Sequence, residues 1–163
     1  MRALGLTVDM PQKGRPALRA VLLEDALPVS LTPAAADITV VDSFEVPTMP
    51  GDIASQVAEL SQAVTGRIQS LDPQIVVVRR ADMPQRPSNA DGPRWRLMAT
   101  GAVAATARLL VPHTVVRTGR ECGAAHGTRK EDVDAEALAL VGKQSLVEAA
   151  AAALSGLVHD RWS

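Results

Sequence analysis

The feature that most constrains how this chain can fold is a change of hydrophobic period between residues 46 and 53. Before it, apolar residues come in short runs or alternate, as strands require; after it, they recur every three or four positions, as an amphipathic helix requires. Residues 3–8 read as a buried strand and residues 17–23 as a second. The turn-rich stretch Met10-Pro11-Gln12-Lys13-Gly14-Arg15-Pro16 between them predicts a hairpin. Residues 38–46 alternate as a third antiparallel strand, closed by Pro47 and Pro50. Ile53, Val57, Leu60, Val64, Ile68 and Leu71 then define one face of a helix, with Asp52 placed to cap its N-terminus.

Pro73 ends that helix, and residues 75–78 form an all-apolar run, Ile-Val-Val-Val. A strand buried on both faces and reached across a helix is most simply parallel to its predecessor. The polar segment 81–90 reads as a loop. Asp91-Gly92-Pro93 opens a helix with Trp95, Met98, Ala102, Ala105 and Leu109 on one face. Residues 114–116 are the fifth strand, 119–127 a glycine-bearing loop, 129–141 a helix stopped by Gly142, and 146–158 the last helix. The order predicts a single α/β domain, 1–163: a mixed five-stranded sheet, three antiparallel strands and then two parallel, with helices on both faces.

Composition narrows the function. Apolar residues make up 47% of the chain, yet its aromatics are Phe44, Trp95 and Trp162 alone, so there is little platform for stacking bases. With 17 basic and 18 acidic residues, any affinity for nucleic acid must come from local clustering. A lone Cys122 rules out an internal disulfide and suits a reducing compartment. No basic-then-apolar leader opens the sequence and no apolar run approaches the roughly 18 residues of a membrane span, so a cytoplasmic protein that avoids the membrane is expected.

Ala3-Leu4-Gly5-Leu6-Thr7, Pro73-Gln74-Ile75-Val76-Val77-Val78, Lys130 and Ser145-Leu146-Val147-Glu148-Ala149-Ala150-Ala151 carry a resemblance. In that order of elements the chain resembles the ribonuclease-H-like superfamily, and within it the RuvC-type Holliday-junction resolvases. The resemblance implies a metal-binding Asp at the end of the first strand, a Glu directly after the fourth, a lysine near the start of a later helix, and two acids on the final helix. Here those acid positions hold Thr7, Arg79, Ser145 and Glu148. Such nucleases hold two divalent ions about 4 Å apart between converging carboxylates. One acid beside an arginine does not supply that, so the resemblance implies a fold whose metal chemistry has been lost.

Other carboxylates are candidates for a rearranged site. Asp9 shares a strand face with Thr7 if the strand continues, and Asp82, Asp134 and Glu148 complete the set; with Mg²⁺ they would make a metal-dependent endonuclease. The plainer reading places Asp9 and Asp82 in turns and gives Glu148 to a capping box, Ser145-x-x-Glu148, with Thr128-x-x-Glu131 as another. Arg79, Arg80, Arg86, Arg94 and Arg96 flank the exit of the fourth strand, and Arg117, Arg120, Arg129 and Lys130 that of the fifth. Both exits lie on the carboxyl edge of the sheet, where α/β sites gather, and the arginine fork suits phosphate. Against this stands a scatter of solvated charges paired with Glu121, Glu131 and Asp132. Gly127-Thr128 could offer helix amides to one phosphate, but no Gly-Lys-Ser/Thr follows. His113, His126 and His159 lack metal spacing, and Cys122-His126 lacks a third group to orient it.

The expectation is a domain without metal or catalytic residues that binds a nucleic-acid backbone or acts in an assembly. Its anion-binding candidates are Arg79, Arg80, Arg94, Arg96, Arg117, Arg120, Arg129 and Lys130. Alternatives are the Mg²⁺ nuclease and a structural interaction domain. Small-residue surfaces on the helices at 93–110 and 146–158 predict a homo-oligomer.

Overall fold

A computed structural model describes residues 1–26, 37–82 and 91–159. Arg86, the 28–36 loop and most of the 81–90 loop lie outside the described residues. The chain runs β1 (Arg2–Gln12), β2 (Arg15–Asp25), β3 (Ile38–Pro47), α1 (Ile53–Leu71), β4 (Ile75–Arg79), α2 (Asp91–Leu110), β5 (Thr114–Arg117), α3 (Gly119–His126), α4 (Lys130–Val141), a 3-10 turn (Gln144–Leu146) and α5 (Val147–His159). The strands form one sheet in the order β3-β2-β1-β4-β5; β1, β2 and β3 are antiparallel, and β4 runs parallel to both β1 and β5.

Strand alternation assigns the two faces. Leu4, Leu6, Val8, Leu18, Leu22, Val76 and Val78 pack with Leu60, Val64 and Ile68 of α1 and Ala99, Val103 and Ala107 of α2. Burying each large aliphatic side chain contributes about 1.5–3 kcal/mol. Ala3, Val21, Leu23, Ile75 and Val77 point the other way, onto α5, with Cys122 of α3 and Val133 and Ala137 of α4 behind it. From Ala149 to Leu157 every α5 residue is buried, which is the pattern of a helix covered on all sides. Its alanines bring it close to β1: a Cβ on Gly5 would lie 1.8 Å from the Ala149 carbonyl oxygen. Only glycine permits that approach.

Several expectations change. β1 and β2 each run 11 residues, so Asp9 lies on a strand rather than in a turn. The turn itself is Lys13-Gly14, where Gly14 takes φ +68°. Residues 119–127 are mostly helix: Thr118 and Glu121 form a capping box at the start of α3, and Gly127 is its left-handed C-cap. The box expected at Thr128 is absent because Arg129 caps α4 without a side-chain bond. The 146–158 helix spends its small residues inside the monomer, so that surface is not free for oligomerisation. In α2, Met98 and Leu109 are 55% and 87% exposed while Ala99, Thr100, Val103 and Ala107 are buried, so the core stripe lies beside the predicted one.

Candidate functional site: an ion-paired cleft at the carboxyl edge

Strand register builds the site. Thr7 pairs with Arg19 on one side and Arg79 on the other; Arg19 pairs with Glu45, and Arg79 with Arg117. Glu45, Arg19, Thr7, Arg79 and Arg117 therefore form one row across the whole sheet. Alternation turns this row to the α5 side, because Ile75 and Val77 of β4 already face that core. Asp9 lies two residues beyond Thr7 on the same face. The α4 and α5 helices and the Arg96 side chain from α2 complete a cleft of about 540 Å³ over this row, lined by Thr7, Asp9, Arg19, Arg96, Lys130, Asp134, Ser145 and Glu148 among others.

Each carboxylate that reaches this cleft has a cation of its own. Asp134 accepts hydrogen bonds from Arg79 Nη1 at 2.6 Å and Nη2 at 3.4 Å, and from Lys130 Nζ at 3.0 Å. Glu148 Oε2 accepts from Arg96 Nη2 at 3.3 Å and from the Thr7 hydroxyl at 3.4 Å. Arg96 also donates through Nε to the Val8 carbonyl at 2.6 Å. Asp9 is paired with Arg19, which lies 3.7 Å from Glu45 as well.

Burial opposes the charge on both partners of the central pair, and the pairing overcomes it. Desolvation pushes the Asp134 carboxyl up, yet the bonds from Arg79 and Lys130 hold it below the usual aspartate range. Desolvation likewise works against the Arg79 guanidinium, and Asp134 keeps it above its ordinary value. Room for both cations comes from α3: a Cβ on Gly119 would lie 2.5 Å from Arg79 Nη2 and 2.7 Å from Lys130 Cε.

The predicted residues divide by place. Asp9, Asp134, Glu148, Arg96 and Lys130 line the cleft. Asp82 is exposed and does not line it. Arg79 and Arg117, predicted to offer their donors to an anion, are 3% and 8% exposed. Burial turns Arg79 to Asp134 and directs Arg117 Nη1 to the Ser155 carbonyl and hydroxyl at 2.8 and 2.9 Å. Arg94 and Arg120 are exposed, Arg80 is half-buried, and Arg129 is exposed but paired with Asp132 at 3.2 Å. Glu148 does not form the expected capping box; Ser145 donates to Glu45 at 2.7 Å instead. His126 pairs with Glu136 at 2.8 Å, away from Cys122, which lies buried near Ser155.

Arg19, Ser155 and Gly119 escaped the sequence reading. Arg19 had no simple signal: counting back from the Lys13-Gly14 turn puts Ala20 opposite Thr7, and the irregularity between Asp9 and Gln12 shifts the register by one residue to Arg19.

A divalent ion does not fit this donor set. The carboxylates are already engaged by cations, and among the described residues no group of three or more His, Cys, Asp or Glu side chains is placed to share an ion. Nor is any described helix long and apolar enough to cross a membrane.

No protein-family model matches the chain, and no curated protein matches it. Solved structures do. The structure of Thermus thermophilus RuvC aligns with 99% of this chain and 96% of its own at a TM-score of 0.70 and 17% identity. A second structure, T. thermophilus RuvC in complex with Holliday junction substrate, aligns with 100% of this chain and 97% of its own at a TM-score of 0.65 and 20% identity. Together with the five-stranded topology, these alignments show that the chain has the ribonuclease-H-like α/β fold of RuvC.

Proposed function

We propose that the protein is a single RuvC-like domain that engages a nucleic-acid backbone and does not cut it. The observation that carries this reading is that each cleft carboxylate is held by a cation: Asp9 by Arg19, Asp134 by Arg79 and Lys130, and Glu148 by Arg96. Carboxylates held this way have no charge left over for two metal ions. Arg94 and Arg120 are exposed, Arg80 is half-buried with its charge acting on Glu121, and these three supply the donors for phosphate oxygens. The likeness to RuvC bound to a Holliday junction supports branched DNA as the first substrate to try.

The test combines binding and cleavage. Branched DNA, linear DNA and RNA–DNA hybrid are each incubated with the protein in Mg²⁺ or Mn²⁺ and at two salt concentrations. Binding should weaken steeply with salt, as counterion release requires, and no strand should be cut. Arg94→Ala with Arg120→Ala should weaken binding on every sequence alike. Cleavage that disappears with Asp134→Asn would move the assignment to a metal-dependent nuclease rearranged around Asp9, Asp134 and Glu148.

Assembly is a second reading, favoured by the outer face of α2. Leu97, Met98 and Leu109 are 56%, 55% and 87% exposed, and Gly101 and Ala105 lie exposed between them. A second copy packing there would cover this stripe through close contact at the small residues. A monomeric mass by light scattering at high concentration removes that part of the proposal.

A further inference from the structure

We propose that the Arg79 guanidinium is a built-in replacement for a divalent cation: it neutralises the cleft from beneath and excludes a metal ion from it. This rests on the non-cleaving part of the reading above, and not on the affinity for nucleic acid.

The position is specific. Arg79 ends β4 beside Thr7, so the cation and the neutral hydroxyl are adjacent in the sheet register. Its fork holds Asp134 on two oxygens, and the charge of Glu148 also acts on it. A guanidinium supplies one positive charge and directional donors, where a divalent ion supplies two charges and asks for oxygen ligands on several sides. Three carboxylates then need more than one internal cation, and the cleft has Arg19, Arg96 and Lys130 in addition.

The slot is shaped for this side chain. Arg79 is 3% exposed, and a Cβ on Gly119 would lie 2.5 Å from Nη2, so a larger residue there would force the guanidinium to shift. The same glycine accommodates Lys130, the second cation on Asp134. A surface arginine that happened to meet an acid would need no such accommodation. Asp134 and Glu148 line the same cleft and both act on the Arg79 guanidinium, so removing Arg79 would leave their charges less compensated, the condition that favours uptake of a cation from solution.

Mn²⁺ is the probe, read by electron paramagnetic resonance of the bound ion and by thermal melting in Mg²⁺ and in Mg²⁺-free buffer. Wild type should bind no stoichiometric Mn²⁺ and melt at the same temperature in both buffers. Arg79→Gln should take up Mn²⁺ and be stabilised by Mg²⁺, and Arg79→Gln/Asp134→Asn should lose both gains. Because Arg79→Gln can fail to fold, wild type carries its own arm: millimolar Mg²⁺ should leave the side-chain carboxyl resonances of Asp134 and Glu148 unmoved. Stoichiometric Mn²⁺ on wild type, Mg²⁺-dependent movement of those resonances, or a folded Arg79→Gln that takes up no Mn²⁺ would each overturn the proposal. Loss of DNA binding at low salt would instead remove the nucleic-acid reading and leave this one standing.

Discussion

Arg79 and Arg117 end adjacent parallel strands, pair with each other in register and are both buried, yet their surroundings treat the charge in opposite ways. Arg79 meets the Asp134 carboxylate, which more than offsets the desolvation of its guanidinium. Arg117 meets the neutral oxygens of Ser155, and burial pulls it below its usual value with only weaker help from Cys122 and Glu121. Identical side chains at equivalent strand ends thus make one strongly compensated pair and one solvation shell built of dipoles. Stability should respond to the loss of each partner accordingly.

The largest expected effect is at Asp134. Asp134→Ala strands Arg79 without its carboxylate and should cost about 3–5 kcal/mol in urea denaturation, the usual range for breaking a buried pair. Ser155→Ala removes one of two neutral acceptors on Arg117 and should cost about 1–2 kcal/mol. Equal losses at the two sites would break the comparison.

Acid sharpens it. The Asp134 carboxyl is held below its ordinary value of 3.8, so its pairing contributes fully above that value and is lost as pH falls through the lower folded-state value. Stability measured at decreasing pH should fall less in Asp134→Asn than in wild type, because the variant has already lost that contribution. Ser155→Ala should keep the wild-type slope, since neither Ser155 nor Arg117 changes charge there.

The smallest effect belongs to the exposed end of the cleft. Glu148 is 47% exposed and its nearest cation is 3.3 Å away, so Glu148→Gln should change stability by less than about 1 kcal/mol. A loss comparable to that of Asp134→Ala would show that the cleft is coupled throughout instead of being dominated by the Arg79 end.

Much of this frame was legible in advance, and the failures share a cause. The strands and α1 announce themselves because their apolar spacing reports burial directly, and the family resemblance put Thr7 and Arg79 at the two strand-end positions, which the register sets side by side. The Asp134 partnership was hidden because it joins residues 55 apart in sequence. Residues 119–127 carry three glycines, which in sequence reads as a loop. At Gly119 and Gly123 the reason is close contact instead: a Cβ on Gly123 would lie 2.6 Å from the Lys130 nitrogen. Capping patterns were ambiguous for a similar reason. Thr118, Thr128 and Ser145 each stand three residues before a glutamate, and of these the first forms the box, while Ser145 and Glu148 are drawn to tertiary partners.

The contact between Gly5 and α5 also bears on how the chain acquires its shape. The β1 backbone rests directly on Ala149 and Ala153, far from Gly5 in sequence, and β1 is central to the sheet. During synthesis the hairpin and α1 emerge first, but one side of their sheet has nothing to cover it until residues 147–159 leave the ribosome. Closing so long a loop is entropically slow and leaves apolar strands open to wrong partners in the interval. Docking of the alanine-built helix should therefore complete the sheet in one nearly all-or-none step.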